Sequence, residues 1–312
     1  MHKNHKEERA EKAVTNQDVL IKALAYNGQV RVYMCQTTKL VRRLCRRHET
    51  WPNASVALGR VLSAGVMMAG MLKEEQHQLA LEFRGDGPIG RIVVDARADG
   101  SVRGYVGSPQ IGHPNGEPGT IDVGATIGKE GFLHVLRDTG EDEAYRGTVP
   151  LINGEVGSDI TYYFLQSEQT PSSVGVGVLL GEDGSVLSAG GFILQLMPGA
   201  EEAVIDKLEA QIKQMDSVVK QIEAGVPLAS IMHELLGETY HIVEERPLSF
   251  RCTCSLRRVE RALLSLGAEE LRAIADEQGQ AEIACDFCRE PYRFDRQALQ
   301  ALASQLEESF HS

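Results

Sequence analysis

The sequence predicts an α+β protein: an N-terminal domain of sheet and helix, a helical connector and a small C-terminal domain built around cysteines. Three observations carry this reading. Short alternating apolar stretches, separated by turns rich in Gly and Asp, dominate residues 1–198. Beyond Pro198 and Gly199 the apolar period lengthens to that of a helix, over residues 199–246. Four of the six cysteines then fall within residues 247–312.

Composition bounds what such a chain can do. A length of 312 residues suits two domains and a connector, and 42% hydrophobic residues suffice for a buried core. A net charge of -12 argues against nucleic acid or an anionic membrane as a partner held by bulk electrostatics. The first ten residues, Met1 to Ala10, are charged and carry no apolar run, so no export signal is expected. A reducing, cytoplasmic setting follows as an expectation, and cysteines there read as metal or redox groups.

In chain order, Gln29 to Cys35 alternates like a strand, Thr38 to His48 reads as a helix, and Asn53 to Leu72 reads as a second helix, with Asn53 as its cap. Ala54 to Leu72 is 19 residues of mostly small and apolar character, near the length of a membrane span. Arg60 near its middle and its serines and glycines favour a tightly packed core helix instead. From Gln78 strands prevail: Leu79, Leu81 and Phe83 share a face, Gly85 to Pro88 turns the chain, and Ile89–Ala96 and Val102–Val106 follow around Asp99 and Gly100. Phe132–Arg137 and Ile160–Gln166 read as further strands, with a helix after Asp159 as the alternative. The order strand, Asp-Gly-Ser-Val, strand occurs at Asp99 and again at Asp183, suggesting two similar hairpins in an antiparallel or mixed sheet.

Several motifs in this domain mislead. Gly175-Val-Gly177 lacks the Gly-Lys-Ser/Thr of a phosphate loop. Arg42, Arg43, Arg46 and Arg47 form a basic helical patch around Cys45, which reads first as a solvated face. Cys35 and Cys45 are expected to be half-buried free thiols.

In the connector, Val204, Leu208, Ile212, Met215, Val219 and Ile222 step by three or four, a helical stripe opposed by charged residues. Gly225 and Pro227 end it, and a second helix carries Leu228, Ile231, Met232, Leu235 and Leu236 as far as Gly237. His233-Glu234 lacks the second histidine of a metalloprotease helix. The stripe is either a permanent packing face or a conditional docking and client-binding surface.

Cys252-x-Cys254 and Cys285-x-x-Cys288, with 30 residues between the pairs, have the makeup of a four-thiolate zinc site. In an extended strand Cys252 and Cys254 point the same way, so both reach one ion only where the backbone bends. Four thiolates on one divalent ion leave a charge near minus two, which Arg251, Arg257, Arg258 and Arg289 lie close enough in sequence to offset. Basic neighbours favour the thiolate that oxidants attack.

The segment is similar to the redox-regulated holdase chaperones, the 33-kilodalton heat-shock proteins. The resemblance rests on Pro247 and Phe250 before Cys-x-Cys-Ser, then Arg258, Leu264, Leu266-Gly267, the Cys-x-x-Cys, and Tyr292 and Phe294; length and order of regions agree over essentially the whole chain. It implies one zinc ion per chain and a quiescent reduced state. It further implies activation by oxidants with loss of the ion, homodimerisation of the oxidised form, and ATP-independent binding of unfolding client proteins. Proximity along the chain makes Cys252–Cys254 and Cys285–Cys288 the natural disulfides of that form. Two other readings stay open at this point: a zinc-ribbon binding module with a purely structural ion, and a thiol-disulfide oxidoreductase using Cys285 and Cys288.

Overall fold

A computed structural model describes residues 17–112, 121–140 and 144–311. The segment read for an export signal, Met1 to Ala10, lies outside them. The chain divides into two compact units, one ending at Phe250 and one beginning at Arg251.

The first unit runs β1 (Val19–Ala25), β2 (Val30–Gln36), α1 (Thr38–His48), α2 (Pro52–Ala69), β3 (Gln78–Gly85), β4 (Arg91–Arg97), β5 (Ser101–Val106), α3 (Val123–Ile127), β6 (Gly131–Asp138), β7 (Tyr145–Pro150), α4 (Gly157–Ser167), β8 (Ser172–Leu180), β9 (Val186–Leu196), α5 (Glu202–Gln214), α6 (Val218–Glu223), α7 (Leu228–Leu236), β10 (Tyr240–Pro247) and β11 (Ser249–Phe250). Its strands form a five-stranded sheet, ordered β10-β1-β2-β9-β8, and a six-stranded sheet, ordered β11-β5-β4-β3-β6-β7. Every pairing is antiparallel except that of β11 with β5.

Helix α2 packs against strands of both sheets, which is why it is apolar nearly all round. Close approach depends on its glycines: a Cβ on Gly59 would lie 2.5 Å from Val178 Cγ2, and one on Gly65 would lie 2.9 Å from Val94 Cγ1. Arg60 reaches out to Glu155 at 2.6 Å. No helix among the described residues is long and apolar enough to cross a membrane. Leu79, Leu81 and Phe83 all point into the core. The Asp99 and Asp183 hairpins share one turn chemistry: Asp99 Oδ1 accepts from the Ser101 amide at 2.8 Å, and Asp183 Oδ1 accepts from the Ser185 amide at 2.9 Å. Gly100 and Gly184 supply the positive φ that these turns need.

Three expectations need correction. Ile160–Gln166 is helical, inside α4. Its β-branched and aromatic residues imitate a strand, but the buried set is Ile160, Tyr163 and Phe164, at helical spacing. Buried Asp159 also fastens the loop before it, accepting from the amides of Ile152 at 2.7 Å and Val156 at 2.9 Å. Asn53 is not a cap; Trp51 holds that position and Pro52 opens the helix with its fixed φ. Asn53 is buried and accepts from the Asp122 amide at 3.1 Å. Finally, Cys35 and Cys45 are buried, not half-buried.

The connector stripe lies on two helices, not one. The chain leaves α5 at Met215, whose ψ of 136° is extended, and re-enters helix at Val218. Both segments still use one face, because both pack on the same layer. Val204, Leu208 and Ile222 are buried in a cluster with Ile21, Met34 and Phe192, with Ile212 and Met215 half-buried beside them. Val219 is buried as well, and its carbonyl accepts from Ser188 Oγ at 2.6 Å. Strand β10 then returns along β1, where Lys22 pairs with Glu244 at 2.7 Å.

The second unit contains α8 (Leu256–Leu264), α9 (Ala268–Glu277), β12 (Gln280–Ala284), β13 (Pro291–Asp295) and α10 (Arg296–His311), with β12 and β13 paired as an antiparallel hairpin. Its core is small: Val259, Leu263, Leu271, Ala275, Phe294, Leu299 and Ala303 are the buried apolar residues that cluster there. A core of that size leaves a domain marginal unless something else ties it together.

Candidate metal centre

Two stretches of irregular backbone bring the four C-terminal cysteines together. Cys252 and Cys254 lie in a segment without regular structure, residues 251–255, that leads into α8. This supplies the bend that the Cys-x-Cys spacing requires. Cys285 and Cys288 lie in the turn of the β12–β13 hairpin. There the Cys285 amide donates to the Glu290 carbonyl at 3.0 Å, and the Arg289 amide donates back to the Cys285 carbonyl at 2.8 Å. Arg289 takes a left-handed φ of 54° to close the turn.

The sulfurs converge. Cys252 Sγ is 3.8 Å from Cys285 Sγ, Cys254 Sγ is 3.3 Å from Cys288 Sγ, and all four lie within 4.8 Å of one another. A tetrahedral zinc with bonds of about 2.3 Å requires sulfur–sulfur edges of about 3.8 Å, so the cluster has the dimensions of such a site. Cys288 is buried and the other three are half-buried.

Its electrostatics point the same way. Burial pushes the Cys285 and Cys288 thiols up; the sulfurs of Cys254, Cys252 and Cys285 add to the rise at Cys288, and Cys252 adds to it at Cys285. A hydrogen bond with Cys254 sets the Tyr292 hydroxyl against the same sulfurs, and that bond, more than desolvation or the sulfurs' charge, pushes its pKa up. The nearby arginines do not reverse this: Arg251, Arg257, Arg258 and Arg289 are exposed, and Arg258 Nη1 donates to Thr253 Oγ1 at 2.9 Å. Four packed thiols of this kind become four thiolates when a divalent cation compensates them. The donor set therefore fits a metal ion, and an all-sulfur tetrahedron suits zinc.

The other singled-out residues lie elsewhere. The connector stripe sits on the five-stranded sheet, as described. Cys35 and Cys45 belong to the first unit, where burial pushes both thiols up. Cys285 and Cys288 occupy a β-hairpin turn and not a strand-to-helix junction. Tyr292 is the cluster's further neighbour that cysteine spacing did not mark; in the sequence it stood out only as part of the aromatic tail, Tyr292 and Phe294, that belongs to the family resemblance.

A two-sheet α+β body followed by a four-cysteine unit defines a protein of two parts, one of them organised by thiols. The sequence profile of the family described as Hsp33 protein matches residues 18–295. The 33 kDa chaperonin of Geobacillus kaustophilus is 51% identical over 286 residues, covering 91% of this chain and 97% of that protein. The 33 kDa chaperonin of Bacillus subtilis is 46% identical over 288 residues, covering 92% and 99%. The crystal structure of the 33 kDa chaperonin (heat shock protein 33 homolog) of Thermotoga maritima superimposes with a TM-score of 0.87 at 31% identity, covering 94% of this chain and all of that one. The chain belongs to the Hsp33 family, a family of chaperones and not of enzymes.

Proposed function

We propose that this protein is a redox-regulated, ATP-independent holdase that is zinc-loaded and quiescent when reduced. The observation that carries the reading is the convergence of four cysteine sulfurs within 4.8 Å. Cys252, Cys254, Cys285 and Cys288 would hold the ion, whose role is structural: to fix the second unit. Structural zinc contributes on the order of 10 kcal/mol of apparent folding free energy, as much as a whole small domain possesses. The small core of the second unit does not replace that.

Oxidation removes the donors. For each disulfide, two thiolates give two electrons to one peroxide, whose O–O bond breaks and takes up two protons to leave two waters. The pairs formed are Cys252–Cys254 and Cys285–Cys288. In a loosened unit, sulfurs separated by one or two residues meet far more often than those separated by more than 30. The second unit then unfolds.

The division of the chain at residues 198 and 246 acquires its meaning here. Residues 199–246 pack on the first unit, yet β10 is separated only by Leu248 from the two-residue β11, which runs directly into Arg251 and the first cysteine pair. Unfolding after Arg251 loosens this connector and uncovers the stripe Val204, Leu208, Ile212, Met215, Val219 and Ile222, together with the sheet face beneath it. That apolar surface binds unfolding client proteins in the cytoplasm, and the opened form pairs as a homodimer.

The test is light scattering from a heat-denaturing client, with a chromogenic chelator reporting released zinc. Suppression of scattering by the peroxide-treated form alone, accompanied by zinc release, is the expected result. Equal behaviour of both forms, or zinc that stays bound, would return the ion to a purely structural role.

A further inference from the structure

The basic face of α1 has no part in the thiol switch. Lys39, Arg42, Arg43, Arg46 and Arg47 are spaced three, one, three and one residues apart, which places all five on one side of the helix. Leu40, Val41, Leu44, Cys45 and His48 fill the opposite, buried side. The cationic side lines a cavity of about 530 Å³.

Stability does not explain this arrangement. Like charges at i,i+3 and i,i+4 destabilise a helix, and this face contains nothing else. Arg46 and Arg47 complement the C-terminal end of the helix dipole, but Lys39 and Arg42 stand nearer its positive end, where cations are disfavoured, and Arg43 stands at its middle. Nor is the charge neutralised in place. Among the described residues, Lys39, Arg42, Arg43 and Arg46 make no ion pair. The buried carboxylate of Asp18 accepts from the amides of Lys39 at 3.0 Å and Leu40 at 2.6 Å, and its charge is felt at Lys39 and Arg42 without forming an ion pair with either.

The guanidinium groups are also held in position. Arg42 donates to the Val186 carbonyl through Nε at 3.0 Å and Nη2 at 2.8 Å, and to the Leu187 carbonyl at 3.2 Å. Arg43 lies 4.6 Å and Arg47 5.5 Å from the centre of the Phe250 ring. Arg42 commits its Nε and Nη2 to these carbonyls and contributes mainly its charge, while the planar guanidiniums of Arg43, Arg46 and Arg47 favour phosphate oxygens, which accept bidentate hydrogen bonds, over a diffuse negative field. The eight-residue span from Lys39 to Arg47 measures about 12 Å along the helix, room for several successive phosphate groups. The ring available for stacking, Phe250, already faces two guanidiniums, so the patch offers phosphate contacts and not a platform for bases.

From these observations we infer that the face of α1 formed by Lys39, Arg42, Arg43, Arg46 and Arg47 is a binding site for a linear oligophosphate anion. The site acts locally, on a chain whose overall charge of -12 repels such anions, and so its affinity falls steeply as salt rises.

Trp51, the only tryptophan, follows α1 closely and is half exposed, making its fluorescence a reporter near the patch. The reduced, zinc-loaded full chain is titrated with sodium tripolyphosphate at low salt, with released zinc followed in parallel. Saturable binding is expected, with Arg43→Glu/Arg46→Glu weakening it by at least about tenfold. Both residues are exposed, and circular dichroism confirms that the variant keeps its fold; Lys39→Glu/Arg46→Glu serves as the second variant. Because zinc chelation by the probe acts on every variant alike, a signal that survives both charge reversals overturns the inference. Citrate binding as tightly as tripolyphosphate overturns the preference for phosphate. Single-stranded RNA binding more tightly per phosphate than tripolyphosphate overturns the oligophosphate assignment in favour of nucleic acid.

Discussion

Cys254 Sγ and Cys288 Sγ lie 3.3 Å apart although 34 positions separate them in the chain. That contact closes a loop containing α8, α9 and β12, and so ties the first half of the second unit to the geometry of its thiols. Its consequences can be measured.

Replacing one donor should remove the ion and the fold together. For Cys288→Ser, zinc content measured by atomic absorption should fall from one ion per chain to none. The helical signal of α8, α9 and α10 should fall with it. A variant that loses zinc yet keeps that signal would show that the apolar core suffices alone.

The route of oxidation is readable from the disulfides. If the unit loosens before the bonds form, peptide mapping of peroxide-treated protein yields Cys252–Cys254 and Cys285–Cys288. Oxidation inside the folded cluster would instead admit Cys254–Cys288 and Cys252–Cys285, whose sulfurs lie 3.3 Å and 3.8 Å apart.

The remaining cysteines should be silent. Cys35 and Cys45 are buried with their thiols pushed up by burial, while the thiolate is the reactive form. Alkylation of native, chelator-treated protein should label four of the six cysteines, and labelling at Cys35 without denaturant would show an opening of the first unit.

Weakening the connector should mimic its release. Ile222 is buried, and Ile222→Ala should destabilise the packing of α6 by about 2–4 kcal/mol. We expect the variant to suppress client aggregation measurably while still reduced and zinc-loaded. Unchanged light scattering, with lowered stability confirmed by urea titration, would dissociate the stripe from activity.

Acid should act on β10, the strand that ends the connector. Burial raises the Glu244 carboxyl, but the hydrogen bond and charge of Lys22, joined by Arg246, outweigh it and leave its pKa below the ordinary value. A carboxylate held low in the folded state adds stability above its unfolded value of about 4.3, and that stability is lost as pH falls through the folded value. Glu244→Gln should therefore cost about 0.5–1 kcal/mol at neutral pH and flatten the acid limb of stability against pH. An unchanged acid limb would assign it to other carboxylates.

Much was legible before any coordinates. Thr38–His48 is legible to the residue, and the helix that carries Leu228 to Leu236 is legible with its stop at Gly237, because an apolar face at helical spacing and a terminating residue are local properties. Other elements hid. The strand Val19–Ala25 lies inside its sheet, between β10 and β2, so its apolar residues show no alternation. Strand Tyr240–Pro247 is an edge whose Ile242 and Val243 remain exposed. The residues of Ile160–Gln166 suit a strand, and only burial of Tyr163 and Phe164 together identifies a helix.

The sequence by itself determined the four ligand candidates, the helical periods, the turns and the membership of the connector stripe, because each depends on neighbours within a few residues. The tertiary structure alone decided that α2 would pack against strands of both sheets, that the stripe would break at Met215, and that Cys254 would face Cys288 and Cys252 would face Cys285. Those outcomes depend on which distant surfaces pack together, where the free energy of burial outweighs local preference.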